Sequence, residues 1–436
     1  MAKAIEIEAA RREVLARASL MPVEEVGLGD ALGRRLAVDA VADSPFQPFD
    51  NSAMDGFAVR AADVAGASAA SPVALRIVDE SRAGAPATHA VGAGEAIAIS
   101  TGAMLPDGAD AVVRVEDTER ASPAPDDSGA GASAGSAVTG KGPGDIVGGR
   151  VLVRASVGAG DNVRRAGEDI AAGETVLRAG AELGAAELGA LATIGLDPVA
   201  VRRRPRVAVL TSGDELTPPG RPLGPGGIRD SNSRTVPALA RLAGAEVVSV
   251  DWTPDEPAAT RAALGRALEA DVAVVCGGVS VGEHDHVKAA LAELGAAQVF
   301  WRVALKPGGP TWFGTRGATL AFGLPGNPVS AMVTFLSFVR PALIAMAGGD
   351  PATRRTRARL GADYEKPTDR AHAVRCRLEL DERGWVAWPL PRQGSHVLTS
   401  MLAADALALV PAAVARVAAG ETVEVELLDR PSNMGR

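Results

Sequence analysis

The stretch Gly277-Gly278-Val279-Ser280-Val281-Gly282-Glu283-His284-Asp285-His286-Val287-Lys288 concentrates more potential chemistry than any other part of the chain. It presents a hydroxyl, two carboxylates, an ammonium and two imidazoles around three glycines. An apolar run at 272–276 precedes it, and a helical pattern through Ala289, Leu291 and Leu294 follows. Strand, glycine-rich turn and helix aim backbone N–H groups and a helix N-terminus at an anion. With Ser280, Glu283, Asp285 and Lys288 on the same turn, the expected chemistry is that of a phosphate-bearing ligand. Other loops carry matching groups: Thr211-Ser212-Gly213-Asp214-Glu215, Asp230-Ser231-Asn232, Asp255 and Lys306-Pro307-Gly308-Gly309-Pro310. The carboxylates Glu215, Asp230, Asp255 and Asp285, beside Lys306 and Arg302, suit Mg²⁺-assisted work on a phosphate or similar oxyanion. Mg²⁺ prefers hard oxygen ligands and takes few protein carboxylates. Lys306 would neutralise charge developing on the transferred or leaving group. His284 and His286 invite a zinc reading, but alternate helical residues diverge and no third ligand is near, so zinc is not expected.

These loops must be held by regular elements. From Arg206 onward, strand and helix patterns alternate: strands at 207–210, 246–250, 272–276, 298–303 and 319–322, helices at 235–242, 257–269 and 287–294. A helix beginning at Pro328 closes the unit. Such alternation predicts a doubly wound, mainly parallel α/β sheet covered on both faces. Ligands of open sheets bind beyond the carboxyl ends of the strands, at a topological switch. The 211–215 loop and the 277–288 loop both follow strands directly, so they should share one rim. Leu324-Pro325-Gly326-Asn327-Pro328 opens the last helix, with Asn327 suited to the N-cap and Pro328 to the first helical position.

The flanking regions read differently. A helix is expected within 3–18, then irregular short strands. Ser44-Pro45 to Arg60 exposes Asp50, Asn51, Ser52 and Asp55 before a β run, more polar groups than an Asx turn requires. Residues 71–118 read as a small β-rich domain with Thr101-Gly102-Ala103 at a strand end. Residues 121–144 hold almost no large apolar side chain and read as a flexible insert. In Asn162-Val163-Arg164-Arg165-Ala166-Gly167-Glu168-Asp169 the arginines could clamp an oxyanion while Asp169 orients them. Beyond 348 the patterns at 371–380, 385–389, 406–410 and 422–427 predict a separate small β-barrel or sandwich domain, with Gln393-Gly394-Ser395-His396 as a polar turn.

Composition narrows the classes. At 436 residues, 47% apolar and 22% charged, the chain should hold two to four globular domains. A net charge of −8 and only 3% aromatic residues argue against a nucleic-acid or anionic-membrane partner. Cys276 and Cys376 have no metal spacing, which fits a reducing, cytoplasmic setting. Ile5-Glu6-Ile7-Glu8 lacks the apolar core of a signal peptide. The apolar segment 329–347 is interrupted by Arg340 and Pro341 and reads as a buried helix.

The ordered set Asp50-Asn51-Ser52-Ala53-Met54-Asp55-Gly56, Thr101-Gly102-Ala103, Arg164 to Asp169, Thr211 to Leu216, the 277–288 loop, Lys306-Pro307-Gly308 and Gly323 to Pro328 resembles the molybdopterin molybdenumtransferase family, which comprises the MoeA type and the E domain of gephyrin. The resemblance implies four domains: 1–45 with 159–203, an inserted domain at 46–158, a molybdopterin-binding α/β domain at 204–347, and a barrel at 351–430. It implies a homodimer with a shared active site. It implies insertion of molybdate into adenylylated molybdopterin, with Mg²⁺, to give molybdenum cofactor and AMP. Contacts with the upstream adenylyltransferase and downstream molybdoenzymes would follow. By motif match, Asp285, Lys306, Glu215 and Asp169 take catalytic places, and Asp285, Glu215 and Asp230 take metal places. Asp55, Thr101, Arg164, Ser280, Asp255, Arg302, Pro325, Pro328, Arg375 and Ser395 take substrate-binding places. Three positions depart from the family pattern. Arg302 stands where a lysine can occur, Gly309 where a second lysine is common, and His286 where an aromatic often sits. A scaffold without turnover, or the related adenylyltransferase, are the rival readings.

Overall fold

The computed structural model describes residues 4–121, 147–279 and 286–428. All but the first residue of the expected 121–144 insert therefore lies outside the described residues. The chain forms two compact units, Asp39–Leu177 with Gly189–Leu196, and Met1–Val38 with Arg178–Leu188 and Asp197–Arg436.

The Asp39–Leu177 unit is built on one six-stranded sheet. Its strands run in the order Ala111–Arg114, Gly56–Val59, Glu95–Ile99, Val73–Ser81, Arg150–Val153 and Thr118–Ala121, with a single parallel pair. Phe57, Val59, Ile77, Val113 and Val153 form its core. This is the β-rich module expected from the turn spacing.

The larger unit holds the α/β sheet. The strands lie in the order Glu246–Thr253, Arg206–Ser212, Val272–Cys276, Thr319–Leu324, Trp312–Arg316 and Ala297–Trp301. The first four are mutually parallel, Trp312–Arg316 runs against them, and Ala297–Trp301, antiparallel to it, points with the first four again. Val272–Cys276 is buried at every residue, as a strand covered by helices on both faces must be. The chain passes from Arg206–Ser212 to one neighbour and then crosses to the other, so the switch point falls between Arg206–Ser212 and Val272–Cys276.

Two strands escape the sequence patterns. Trp312–Arg316 forms a tight hairpin with Thr319–Leu324. Its Gly314 weakens the β signal, yet a Cβ there would stand 2.4 Å from the Ala297 carbonyl oxygen. Arg355–Leu360 interleaves arginines with its buried Ala358 and Leu360 and hides behind its charge.

The helix from Pro328 runs on past Arg340 and Pro341 as Pro328–Thr334, a π-turn at Phe335–Val339, and Arg340–Met346. The proline does not end it, and the segment is the buried helix expected from the sequence. A proline removes the hydrogen bond normally offered to the carbonyl four residues earlier, here that of Ser337. Nε of Arg11 donates to that carbonyl at 3.1 Å. The segment is long and apolar enough to cross a membrane, but 78% of it is buried inside the protein, as a core helix would be.

The C-terminal barrel closes. Ala371–Asp381 pairs with Gly384–Pro389 and Ala406–Val410, Thr422–Leu427 bridges Ala406–Val410 to Arg355–Leu360, and Arg355–Leu360 meets Gly384–Pro389 in parallel. Leu305–Lys306 adds to this sheet beside Ala371 and His372. That short pairing carries Lys306 from the α/β sheet to the barrel.

Candidate functional site

The expected rim exists. Gly277 and Gly278 adopt φ of 98° and 65°, and Cβ atoms there would stand 2.6 Å from the Ser212 carbonyl oxygen and 2.5 Å from Val287 Cγ2. The glycines are therefore required by the close approach of two strand ends. Gly277 N donates to the Leu324 carbonyl at 3.0 Å, which brings in the loop around Pro325. Asn232 Nδ2 donates to the Gly326 carbonyl at 2.7 Å. Ser212 Oγ donates to Asp255 Oδ1 at 2.8 Å, and Trp252 Nε1 to the Gly213 carbonyl at 3.0 Å. Glu215 folds back so that a Cβ on Gly213 would stand 2.4 Å from its Oε2. Glu215, Asp230, Asp255 and Pro325 thus share one rim. Ser280 and Asp285 lie outside the described residues.

Asp230 has a task of its own. It is 6% exposed, its Oδ2 accepts from Thr211 Oγ1 at 2.8 Å, and its Oδ1 accepts from Ser233 N at 3.0 Å. It therefore ties the first strand to the first turn of the helix Asn232–Leu242. Asn327 departs from the capping expectation: it occupies the N-cap, but its Nδ2 donates to Ser395 Oγ at 3.0 Å instead of serving its own helix. Pro328 takes the first helical position as expected. Arg302 has φ of 76°, unusual for a side chain with a Cβ, and its guanidinium lies 5.3 Å from the Trp301 ring centroid. Lys288 Nζ lies 3.9 Å from the same ring, and Trp301 Nε1 donates to the Val279 carbonyl at 3.0 Å. Arg302 thus sits with the 277–288 loop, not with Lys306.

Lys306 opens a cleft of about 550 Å³ between the sheet module and the barrel. Arg370, His372, Arg375 and Ser395 also line it, and no carboxylate does. Arg375 is 1% exposed, donating from Nε to Ser400 Oγ at 3.3 Å and from Nη2 to the Gly394 carbonyl at 3.2 Å. Burial lowers the pKa of Arg375. His372 is 4% exposed and bonds through Nδ1 to Tyr364 Oη at 2.9 Å, while its Nε2 is buried without a partner. Burial first, then the positive charges of Lys306 and Lys366, push His372 down to about 4. The imidazole is therefore neutral at pH 7. The cation missing at Gly309 is replaced in part: Nη1 of Arg370 stands 3.9 Å from where a Cβ on Gly309 would be, while Nε and Nη2 of the same guanidinium pair with Asp369 at 2.7 and 2.5 Å just outside the cleft lining. An acid-free cleft with fork-shaped and point cations is suited to a small oxyanion. Tyr364, Arg370 and His372 escaped sequence reading, because only the barrel's closure brings them to Lys306. The period-2 spacing of His372 with buried Val374 and Cys376 was their one faint signal.

In the Asp39–Leu177 unit the two polar motifs meet. Val163–Arg164 pairs with Asn51–Ser52, and Asp55 Oδ1 accepts from Thr101 N at 2.7 Å and Thr101 Oγ1 at 3.1 Å. Arg165 is oriented by Asp50 at 2.5 Å, and its backbone N donates to Glu168 Oε2 at 3.1 Å. The acid that orients Arg165 is thus Asp50. The hydrogen bond from Ala166 N, with help from Arg165, lowers the pKa of Asp50 against the cost of burial. Arg164 and Asp169 are exposed.

Three family descriptions match consecutive parts of the chain. They are the MoeA N-terminal region (domain I and II) at 5–195, a probable molybdopterin binding domain at 208–345, and the MoeA C-terminal region (domain IV) at 357–428. A molybdopterin molybdenumtransferase of Bacillus subtilis is 34% identical over 407 residues, covering 93% of this chain and 90% of that protein. Molybdopterin molybdenumtransferase 2 of Mycobacterium tuberculosis is 37% identical over 410 residues, covering 92% and 94%. Among solved structures, the molybdopterin biosynthesis MoeA protein of Pyrococcus horikoshii has a TM-score of 0.79 at 32% identity, covering 98% of this chain and 99% of that one. Identity at this level along nearly the whole chain, on the same fold, places it in the molybdopterin molybdenumtransferase (MoeA) family, transferases of molybdenum cofactor biosynthesis.

Proposed function

We propose that this protein inserts molybdate into adenylylated molybdopterin, releasing AMP. The observation that carries this reading is the acid-free cleft of Lys306, Arg370 and Arg375, tied through the Asn327–Ser395 bond to the carboxylate-bearing rim. Lys306 holds the tetrahedral oxyanion as a point charge, and Arg370, whose Nε and Nη2 are held by Asp369, turns its Nη1 to it. Arg375 and neutral His372 shape the floor. The rim amides beyond Gly277 and the hydroxyl of Ser280 receive the phosphates.

Mg²⁺ belongs to this proposal. Among the described residues no three carboxylate, histidine or cysteine side chains gather as a ready cation site. Exposed Glu215 offers hard oxygens, and the substrate's phosphates supply others, which is how Mg²⁺ is commonly held. We assign Glu215 and Asp285 as its protein ligands, with Asp230 holding the rim from behind. When bound, Mg²⁺ would polarise the pyrophosphate that links molybdopterin to AMP. A homodimer with a shared active site, and a cytoplasmic location, are parts of the same reading.

The test is cofactor formation from purified protein, adenylylated molybdopterin, Mg²⁺ and molybdate. AMP should appear only when molybdate is present, and Asp285→Ala should abolish it while the fold persists. AMP release at the same rate without molybdate would sink the mechanism. Full cofactor production by Asp285→Ala would favour a scaffold over an enzyme.

A further inference from the structure

A second cleft, of about 510 Å³, opens at the turn Leu32-Gly33-Arg34-Arg35. It shares no lining residue with the Lys306 cleft. Seven arginines line it against one acid, Glu182, in a chain whose net charge is −8. Such a concentration of one sign is costly unless something answers it.

The internal answers are incomplete. Arg35 pairs with Glu182 at 2.8 Å, and Arg34 with Glu24. Arg202 donates only to the Met21 carbonyl at 3.1 Å, and Arg204 to the carbonyls of Gly244 and Leu32, each at 3.3 Å. Neutral carbonyls hold these guanidinium groups in place without cancelling their charge. Arg34 is 8% exposed, and its buried Nε has no partner at all. Burial, and then the positive charge of Arg34, lowers the pKa of Arg204 by more than the nearby carboxylates of Glu24 and Glu246 raise it. Arg241, exposed at the last turn of the helix Asn232–Leu242, faces the same space.

We propose that this cleft is a binding site for a phosphate-bearing small molecule with at least two negative charges, distinct from the Lys306 cleft. Guanidinium forks match phosphate oxygens bidentately and do so best where water is partly excluded. The volume falls within the range of about 300–1,000 Å³ usual for small-molecule sites. A smaller apolar hollow, lined by Leu239, Met332, Leu336 and Met401, shares Leu242, Ala243 and Arg340 with the cleft. An uncharged portion of the ligand can rest there while its phosphates meet the arginines.

Calorimetric titration of the full-length protein with inorganic pyrophosphate, and separately with ADP, tests this. The background is Lys306→Ala with Glu215→Ala, titrated without Mg²⁺, so that binding at the first cleft and at the phosphate-receiving rim is suppressed. Saturable binding should survive in that background. Adding Arg204→Gln or Arg241→Gln should weaken it about tenfold or more, the weight of a charge-assisted hydrogen bond. Arg241 is on the surface, so its variant keeps the fold, and a melting curve verifies that. Tighter binding of ADP would assign the phosphate to a nucleotide, and equal affinities would assign it to free polyphosphate. Binding lost in that background, binding untouched by both arginine substitutions, or no saturation below about 1 mM would each overturn the proposal.

Discussion

Asp230 distinguishes a metal ligand from a structural anchor, and the two roles predict different phenotypes. Its two oxygens accept from Thr211 Oγ1 and Ser233 N, and the residue is 6% exposed. Asp230→Ala leaves both donors without that partner. Thr211 Oγ1 keeps a second acceptor, the Asp251 carbonyl at 3.5 Å, so its loss is partly made good. Ser233 N, in the first helical turn, has no such reserve. Hydrogen bonds to charged groups contribute about 1.5–3 kcal/mol, and an orphaned buried donor costs about 1–3 kcal/mol. The expected destabilisation is therefore about 2–4 kcal/mol. Asp230→Asn keeps the shape and one acceptor, and should lose less than half as much. Urea midpoints of the two variants measure this. Mg²⁺ titration of AMP release should give Asp230→Asn the same apparent Mg²⁺ affinity as the unaltered protein. A variant with unchanged midpoints and a tenfold weaker Mg²⁺ dependence would refute the anchoring argument and restore Asp230 to the metal.

Arg11 supports a different stability prediction. It is 7% exposed, donates to the carbonyl that Pro341 leaves without its helical partner, and pairs with buried Glu426 at 2.9 Å. Arg11→Ala leaves Glu426 with Arg355 at 3.9 Å, and burial already pushes this carboxyl up to about 7, so protonation relieves part of the loss. The cost should be about 2–3 kcal/mol, read from chemical denaturation. A loss under 1 kcal/mol would show that the pair is dispensable. His372 predicts a pH effect. Its folded pKa, near 4, lies below the unfolded value of 6.5, so the unfolded chain binds protons first as pH falls. Stability is then fully present above about pH 6.5 and declines as pH falls towards 4, by about 2 kcal/mol at pH 5. His372→Gln should flatten this segment of the stability–pH curve, and an unchanged slope would contradict the assignment.

The sequence made the rim legible because its determinants are local. Strand, glycine and helix at 272–294 and 206–242 are each written within about thirty residues, and the parallel sheet forces their loops onto one edge. Asp255, Glu215 and Pro325 could be placed together for that reason alone. Barrel closure is less local, and Gly314 blurs the signal of a hairpin that is local. Trp312–Arg316 and Arg355–Leu360 are held by partners that composition does not announce, and both went unread. The acid that orients Arg165 is hidden from the sequence for a related reason. Orientation of the Arg164–Arg165 turn comes from Asp50, more than one hundred residues earlier in the chain.

The same distinction decides what the departures at 302 and 309 mean. Read along the chain, Gly309 removes a cation from the Lys306 loop and leaves the oxyanion less well held. In space the charge is present, because Arg370 reaches the position from the barrel side. Glycine at 309 is then a condition for that arrangement: a lysine there would start 3.9 Å from the Arg370 guanidinium and repel it. Arg302 moves the other way, since its backbone turn and the Trp301 ring keep it with the 277–288 loop. The cleft therefore keeps a cationic edge, contributed from the barrel by the Arg370 nitrogen that Asp369 does not engage. Oxyanion capture in this chain depends on the barrel being docked against Lys306, through the two-residue pairing of Leu305–Lys306 with Ala371 and His372.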